Sequence, residues 1–158
     1  MNGLVKTVLL SATLVAGPVS AQAQYKNGTD LTGSWRIVAT IPSGVLVCPG
    51  PADCVYPALA TATSDGTVLQ TAPISNTLTG HGSWKRVGPR NFKVHTIYFR
   101  VDPTNGTYLG TSETTIDVTV ATGGRTADGS FAAVILDANG ALITDYSGTV
   151  TAQRIEVE

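Results

Sequence analysis

Residues 92–101 read Phe92-Lys93-Val94-His95-Thr96-Ile97-Tyr98-Phe99-Arg100-Val101. They are followed by Asp102-Pro103-Thr104-Asn105-Gly106 and then by a second run, Thr107-Tyr108-Leu109-Gly110-Thr111-Ser112-Glu113-Thr114-Thr115-Ile116-Asp117-Val118-Thr119-Val120. Both runs are rich in β-branched and aromatic side chains, which fit a pleated, half-buried surface. Asp-Pro and Asn-Gly between them are turn dipeptides, because proline presets its own φ and glycine reaches the backbone angles a tight reversal needs. Two long extended runs about one turn predict an antiparallel hairpin.

The same punctuation recurs outward in both directions, at Ser43-Gly44, Asp65-Gly66, Gly88-Pro89, Gly123-Gly124, Asp128-Gly129 and Asn139-Gly140. The intervening runs predict strands over 32–41, 55–64, 67–73, 79–87, 91–101, 107–121, 129–137 and 141–157. No segment of ten or more residues beyond residue 23 carries the i, i+3, i+4 apolar spacing of a core-facing helix. Strands joined by short turns pair with their neighbours, and eight of them can close so that the last pairs with the first and no edge is left open. The expected fold is therefore all-β, an eight-stranded antiparallel up-and-down β-barrel. A two-sheet sandwich is the alternative; it needs a long crossover, and the single long irregular connection runs from Pro42 to Cys54.

Composition narrows what such a barrel can do. Among 158 residues the charged side chains supply 13% and the formal net charge is −1, so no positive field exists to attract nucleic acid. Two His, two Cys and one Met are too few soft donors for a multi-ligand zinc, haem or iron–sulfur site, and neither a metal nor a cofactor is expected. Residues 1–23 read as a secretory signal, with Lys6 before an apolar stretch from Val8 to Val15 and a small-x-small cleavage site at Ala21-Gln22-Ala23. Val19-Ser20-Ala21 is a second site. The apolar stretch is shorter than the roughly 20 residues a spanning helix needs, and no later stretch reaches that length. Residues 24–158 are then one secreted or periplasmic domain with no membrane-spanning helix after cleavage. In an exported chain Cys48 and Cys54 are expected to form a disulfide that staples their loop.

Alternation assigns faces. Trp35, Ile37, Ala39 and Ile41 share the inward face of the first strand, and Tyr56, Ala58, Ala60 and Ala62 share one face of the second, where small side chains leave room. A hairpin loop centred near Thr104 sets His95 opposite Glu113, Tyr98 opposite Gly110 and Arg100 opposite Tyr108. The face carrying Phe92, Val94, Thr96, Tyr98 and Arg100 is apolar at one end and polar at the other. As the interior it gives a cavity with a dry floor and a hydrogen-bonding mouth formed by Tyr98, Arg100, Tyr108 and Ser112. His95 and Glu113 then form an outward cross-strand pair; in the reversed register they become an interior acid/base couple and the candidate catalytic pair.

Gly33-Ser34-Trp35 opens the first strand and Arg154 lies near the end of the last, positions that meet in a closed barrel. This pairing resembles the lipocalin or calycin signature, whose Gly-x-Trp tryptophan closes the barrel base under a late arginine. The segment Gly80-His81-Gly82-Ser83-Trp84-Lys85-Arg86-Val87-Gly88-Pro89-Arg90-Asn91-Phe92, with Gly148-Thr149-Val150, is similar to small lipocalin-like bacterial proteins whose barrel is akin to those of allene oxide cyclases and dirigent proteins. The leading expectation is an exported barrel that binds a small, largely apolar molecule, with Trp35, Tyr56, Ala60, Tyr98, Arg100, Tyr108 and Ser112 as binding residues. Likeness to cyclase barrels implies, as an alternative, a cofactor-free cyclase or isomerase. A third reading is an extracytoplasmic interaction module that makes its contacts through the Cys48 to Cys54 loop.

Overall fold

A computed structural model describes residues 30–72 and 77–156; the leader expected over residues 1–23, with its cleavage sites, lies outside them. Eight strands follow in chain order: β1 (Gly33–Ile41), β2 (Cys54–Ala62), β3 (Thr67–Thr71), β4 (Gly80–Arg86), β5 (Asn91–Val101), β6 (Tyr108–Val120), β7 (Thr126–Leu136) and β8 (Leu142–Arg154). Each pairs antiparallel with its chain neighbour, and β8 returns to β1, with Trp35 opposite Arg154 and Thr40 opposite Thr149. The barrel is closed and its topology is up-and-down. Closure satisfies the ladder hydrogen bonds that an open edge would leave to solvent or to another chain.

The inward faces follow the alternation. Trp35, Ile37 and Ile41 are buried on β1, as are Ala58 and Ala62 on β2, Phe92, Val94, Thr96 and Tyr98 on β5, and Ile116, Val118 and Val120 on β6. The β5–β6 register differs from expectation. His95 faces Thr115, Ile97 faces Glu113 and Tyr98 faces Ser112, two residues away from a pairing centred on Thr104. Half of the slip is a longer loop, closed by Asp102 and Thr107 through an N–H to carbonyl bond of 2.8 Å. The other half is a β-bulge, because Arg100 faces Gly110 while Val101 faces Tyr108, which leaves Leu109 without a partner. Gly110 makes the bulge possible: its φ is +119°, and a Cβ there would lie 2.1 Å from the Leu136 carbonyl oxygen. One extra residue flips every side chain beyond it to the other face. Tyr108 therefore points outward, 46% exposed, with its ring edge-on to Phe99 at 6.0 Å.

The end of the barrel that holds Gly33 and Arg154, here the base, is closed by a strap to which Asp30, Leu31 and Thr32 belong. Arg154 stacks over the Trp35 ring at 4.2 Å. Its Nε donates to the Gly124 carbonyl at 2.7 Å, Nη2 donates to the Asp30 carbonyl at 2.7 Å, and Nη1 donates to the Thr32 carbonyl. Trp35 Nε1 donates to the Leu31 carbonyl at 2.7 Å. The strap thus lies across the base with the Leu31 side chain buried inside. Gly33 turns the chain from strap into strand with φ +124°, and a Cβ there would come 2.6 Å from Arg154 Nη1. A second aromatic group completes the base. Trp84 meets Phe92 edge-on at 5.5 Å, Arg86 lies 4.6 Å over Phe92, and the Asp30 carboxylate sits 3.9 Å from Arg86. The repeated Gly-Ser-Trp triplets at Gly33 and Gly82 thus both supply tryptophans at the base.

Arg154→Ala removes a cation–π contact and three charged hydrogen bonds, so it is expected to lower the unfolding free energy by about 2–4 kcal/mol in a urea titration. Arg154→Lys should recover less than half of that loss, since a single ammonium cannot reproduce the planar fork. A loss below about 0.5 kcal/mol in Arg154→Ala would contradict the closure described, because such a value is typical of surface substitutions.

Candidate functional site

The barrel is hollow. Two chambers lie along its axis and share a waist formed by Ile37, Gln70, Ile116 and Val150. The lower chamber, about 50 Å³, stands directly on the base plug and is lined by Leu31, Trp35, Ala60, Ala62, Val94 and Val118 among others. The upper chamber, about 60 Å³, is lined toward the mouth by Tyr56, Tyr98, Ser112, Thr114, Phe131 and Tyr146. Either volume holds several water molecules, since one needs roughly 10–15 Å³. Among the described residues no charged side chain lines either chamber.

Small residues leave the space and large ones shape it. β2 contributes Ala58, Ala60 and Ala62 to the lining, where leucines would fill the hollow. Gly80, opposite Gln70 on the neighbouring strand, has the Tyr98 ring where a Cβ would stand, 2.6 Å from Tyr98 Cε1. That close approach lays the ring along the wall.

Three tyrosines ring the upper chamber. Tyr56 donates its hydroxyl to the Val47 carbonyl at 3.1 Å, which ties the mouth loop to the barrel. The loop is stapled by the Cys48–Cys54 disulfide, with Cys48 fully buried and Val45 and Val47 packed on the core. Burial pushes the Tyr98 phenol well above its ordinary range, and the nearby Tyr146 phenol adds to the shift. Tyr146 is raised as well, chiefly by burial; the Ser112 hydroxyl and the Arg100 charge pull it the other way, and Tyr56 pushes it up. At neutral pH both phenols keep their protons, with the Thr96 hydroxyl beside Tyr98 and the Ser112 hydroxyl beside Tyr146 as hydrogen-bonding neighbours.

The residues expected to bind divide accordingly. Trp35 and Ala60 line the lower chamber, and Tyr56, Tyr98 and Ser112 line the upper one. Arg100 sits half-buried at the rim, its Nη1 directed at the Leu136 carbonyl 3.5 Å away. Tyr108 is a correction, because the bulge turns it outside. The His95–Glu113 pair is another. Both residues lie on the outer face, but His95 Nδ1 sits 3.1 Å from Thr115 Oγ1 and Glu113 faces Ile97, so neither an outward pair nor an interior couple forms. Tyr146 and Gln70 were not anticipated. Alternation through β8 finds the first, since Tyr146 shares a face with buried Val150, and Val68 identifies the face of Gln70 in the same way.

The raised phenols carry a sign for stability. A group that binds its proton more tightly when folded contributes stability fully below its unfolded value, about 10 for tyrosine, and loses that contribution as pH rises above it. An alkaline titration followed at 295 nm should show part of the phenolate signal only as the barrel unfolds, and Tyr98→Phe should remove one tyrosine's worth of that late step. A late step unchanged in Tyr98→Phe would place this phenol in water. No protein-family model and no curated protein sequence matches the chain.

Proposed function

We propose that this is an exported, lipocalin-like barrel that carries a small, largely apolar molecule in its interior. The observation that supports the reading most strongly is the lower chamber, walled by carbon and blocked at the base by Leu31 and Trp35. Apolar surface placed there leaves water without meeting an unpaired polar group. A guest reaches it from the mouth, passing the tyrosines. The Gly33-Ser34-Trp35 and Arg154 arrangement, with the arginine stacked on the ring, supports the lipocalin-like assignment. Export is supported by the form of residues 1–23 and by the Cys48–Cys54 disulfide, a bond that persists in oxidising compartments.

One observation favours a second reading, a cofactor-free cyclase or isomerase. Tyr98 and Tyr146 face one chamber as protonated phenols, and donors fixed in a dry site stabilise oxygen that gains negative charge during a rearrangement. His95 and Glu113 have no part in it.

The mature protein is expected to take up the neutral probe N-phenyl-1-naphthylamine with a blue-shifted, enhanced fluorescence. Ala60→Trp, which fills the lower chamber, should weaken uptake at least tenfold while the far-ultraviolet circular dichroism stays that of the barrel. Equal uptake by both proteins would place the probe elsewhere and overturn the reading. Extraction of the loaded barrel separates carriage, which returns a natural guest unchanged, from catalysis, which returns its isomer.

A further inference from the structure

Among the described residues, Arg100 is the cation that stands on the inner rim of the mouth. Tyr98, two residues before it, points into the hollow, and Thr77, its partner across an isolated bridge, lines the upper chamber. Opposite Arg100 on β6 is Gly110, whose lack of a side chain lets the guanidinium lie across the rim to β7, where Nη1 meets the Leu136 carbonyl at 3.5 Å. Its charge reaches the Tyr146 phenol on the chamber wall. Nothing described in the protein answers that charge. The ion pairs join Arg86 to Asp30, Lys93 to Asp117 and Arg125 to Glu156, and none lies at the mouth. The acids nearest in sequence to Arg100 and Leu136 are engaged in their own turns. Asp102 accepts from the Thr104 N–H at 2.8 Å and its hydroxyl at 2.6 Å, and Asp137 accepts from the Asn139 and Ala141 N–H groups at 2.8 Å. A guanidinium offers five N–H donors in a planar fork, and one long bond to a carbonyl uses one of them.

We propose that the guest is a monocarboxylate amphiphile, its carboxylate paired with the Arg100 fork at the rim and its hydrocarbon running inward past Tyr98 and Tyr146. The inference rests on the carrier reading and names the ligand class of that same hollow. Each end of the site sets one condition. The lower chamber is walled by carbon and excludes an ionic group, so the charge of a guest stays at the rim and its tail goes below. At the rim a half-buried cation without a carboxylate gains a charge-assisted, two-bonded partner from the guest. A cationic amphiphile would meet Arg100 as like charge against like, and a neutral one would leave the fork without an anion.

The test uses the full mature protein and a matched series, octanoate, 1-octanol and octylamine, each measured at pH 7 by displacement of N-phenyl-1-naphthylamine. Octanoate is expected to bind about three- to tenfold tighter than 1-octanol, the gain from hydrogen bonds to a charged donor, with octylamine weakest. Arg100→Gln should weaken octanoate about tenfold and bring it to or below 1-octanol. Arg100→Lys should keep part of the preference, because it retains the charge and loses the fork. Arg100→Met replaces the glutamine variant if that one folds poorly, and the wild-type series decides even without either. Equal or tighter binding of 1-octanol or octylamine in the wild type, or a preference for octanoate that survives the loss of Arg100, would each overturn the carboxylate inference while the carrier reading stands. Failure of the probe itself to bind would overturn both.

Discussion

The guanidinium of Arg154 holds the molecule closed. It belongs to the last strand, lies on a ring of the first, and donates to carbonyls of the strap and of the turn before β7. A single planar cation thereby joins the two ends of the sheet and fastens a floor beneath them. Lysine has the charge but lacks the fork for three carbonyls, and an apolar residue would leave those carbonyls unpaired against the base. Gly33 is the matching condition on the other side, since any side chain there would occupy the place of the guanidinium.

With the base fixed, the interior can remain partly empty. Protein cores are normally close-packed, because a void forfeits the dispersion contacts of its lining. Here alanines on β2 and the glycine at position 80 keep volume open beside Trp35, Tyr98 and Phe131. The polarity is graded along the axis, from hydrocarbon at the floor through one amide at the waist to phenols and hydroxyls at the mouth. Such a gradient sets a different chemistry at each depth of the hollow. The disulfide loop and the Tyr56 to Val47 bond give the mouth a fixed rim.

Much of this was legible in the residues. Period-two alternation and turn dipeptides place all eight strands, with one correction: Asp128-Gly129 reads as a turn but lies inside β7, paired with Thr119 and Val118, where the glycine admits the close approach of the Asp117 carbonyl. The closure follows from having eight neighbours and no crossover. Trp35 and Arg154 meet because their positions lie at matching ends. The hairpin register was not legible, because a bulge is a local backbone event. The mark it leaves in sequence is Gly110, and a glycine within a strand admits several explanations. From that one residue followed the error over Tyr108 and the two-residue displacement that parts His95 from Glu113. The strap leaves no mark in the sequence for another reason: Asp30, Leu31 and Thr32 form no regular element, and their role depends on a guanidinium 124 residues away in sequence. Tyr146 and Gln70 were within reach of the alternation rule, but as polar residues on strands they did not attract it.

An open apolar chamber stands on the closed base, and xenon reports on such a chamber directly because it enters apolar cavities without hydrogen bonds. A crystal of the protein held under xenon pressure should show an atom between Trp35, Ala60 and Val118, with the β1–β8 pairing intact. Density for side chains filling that space, or xenon bound solely on the outer surface, would contradict a hollow barrel.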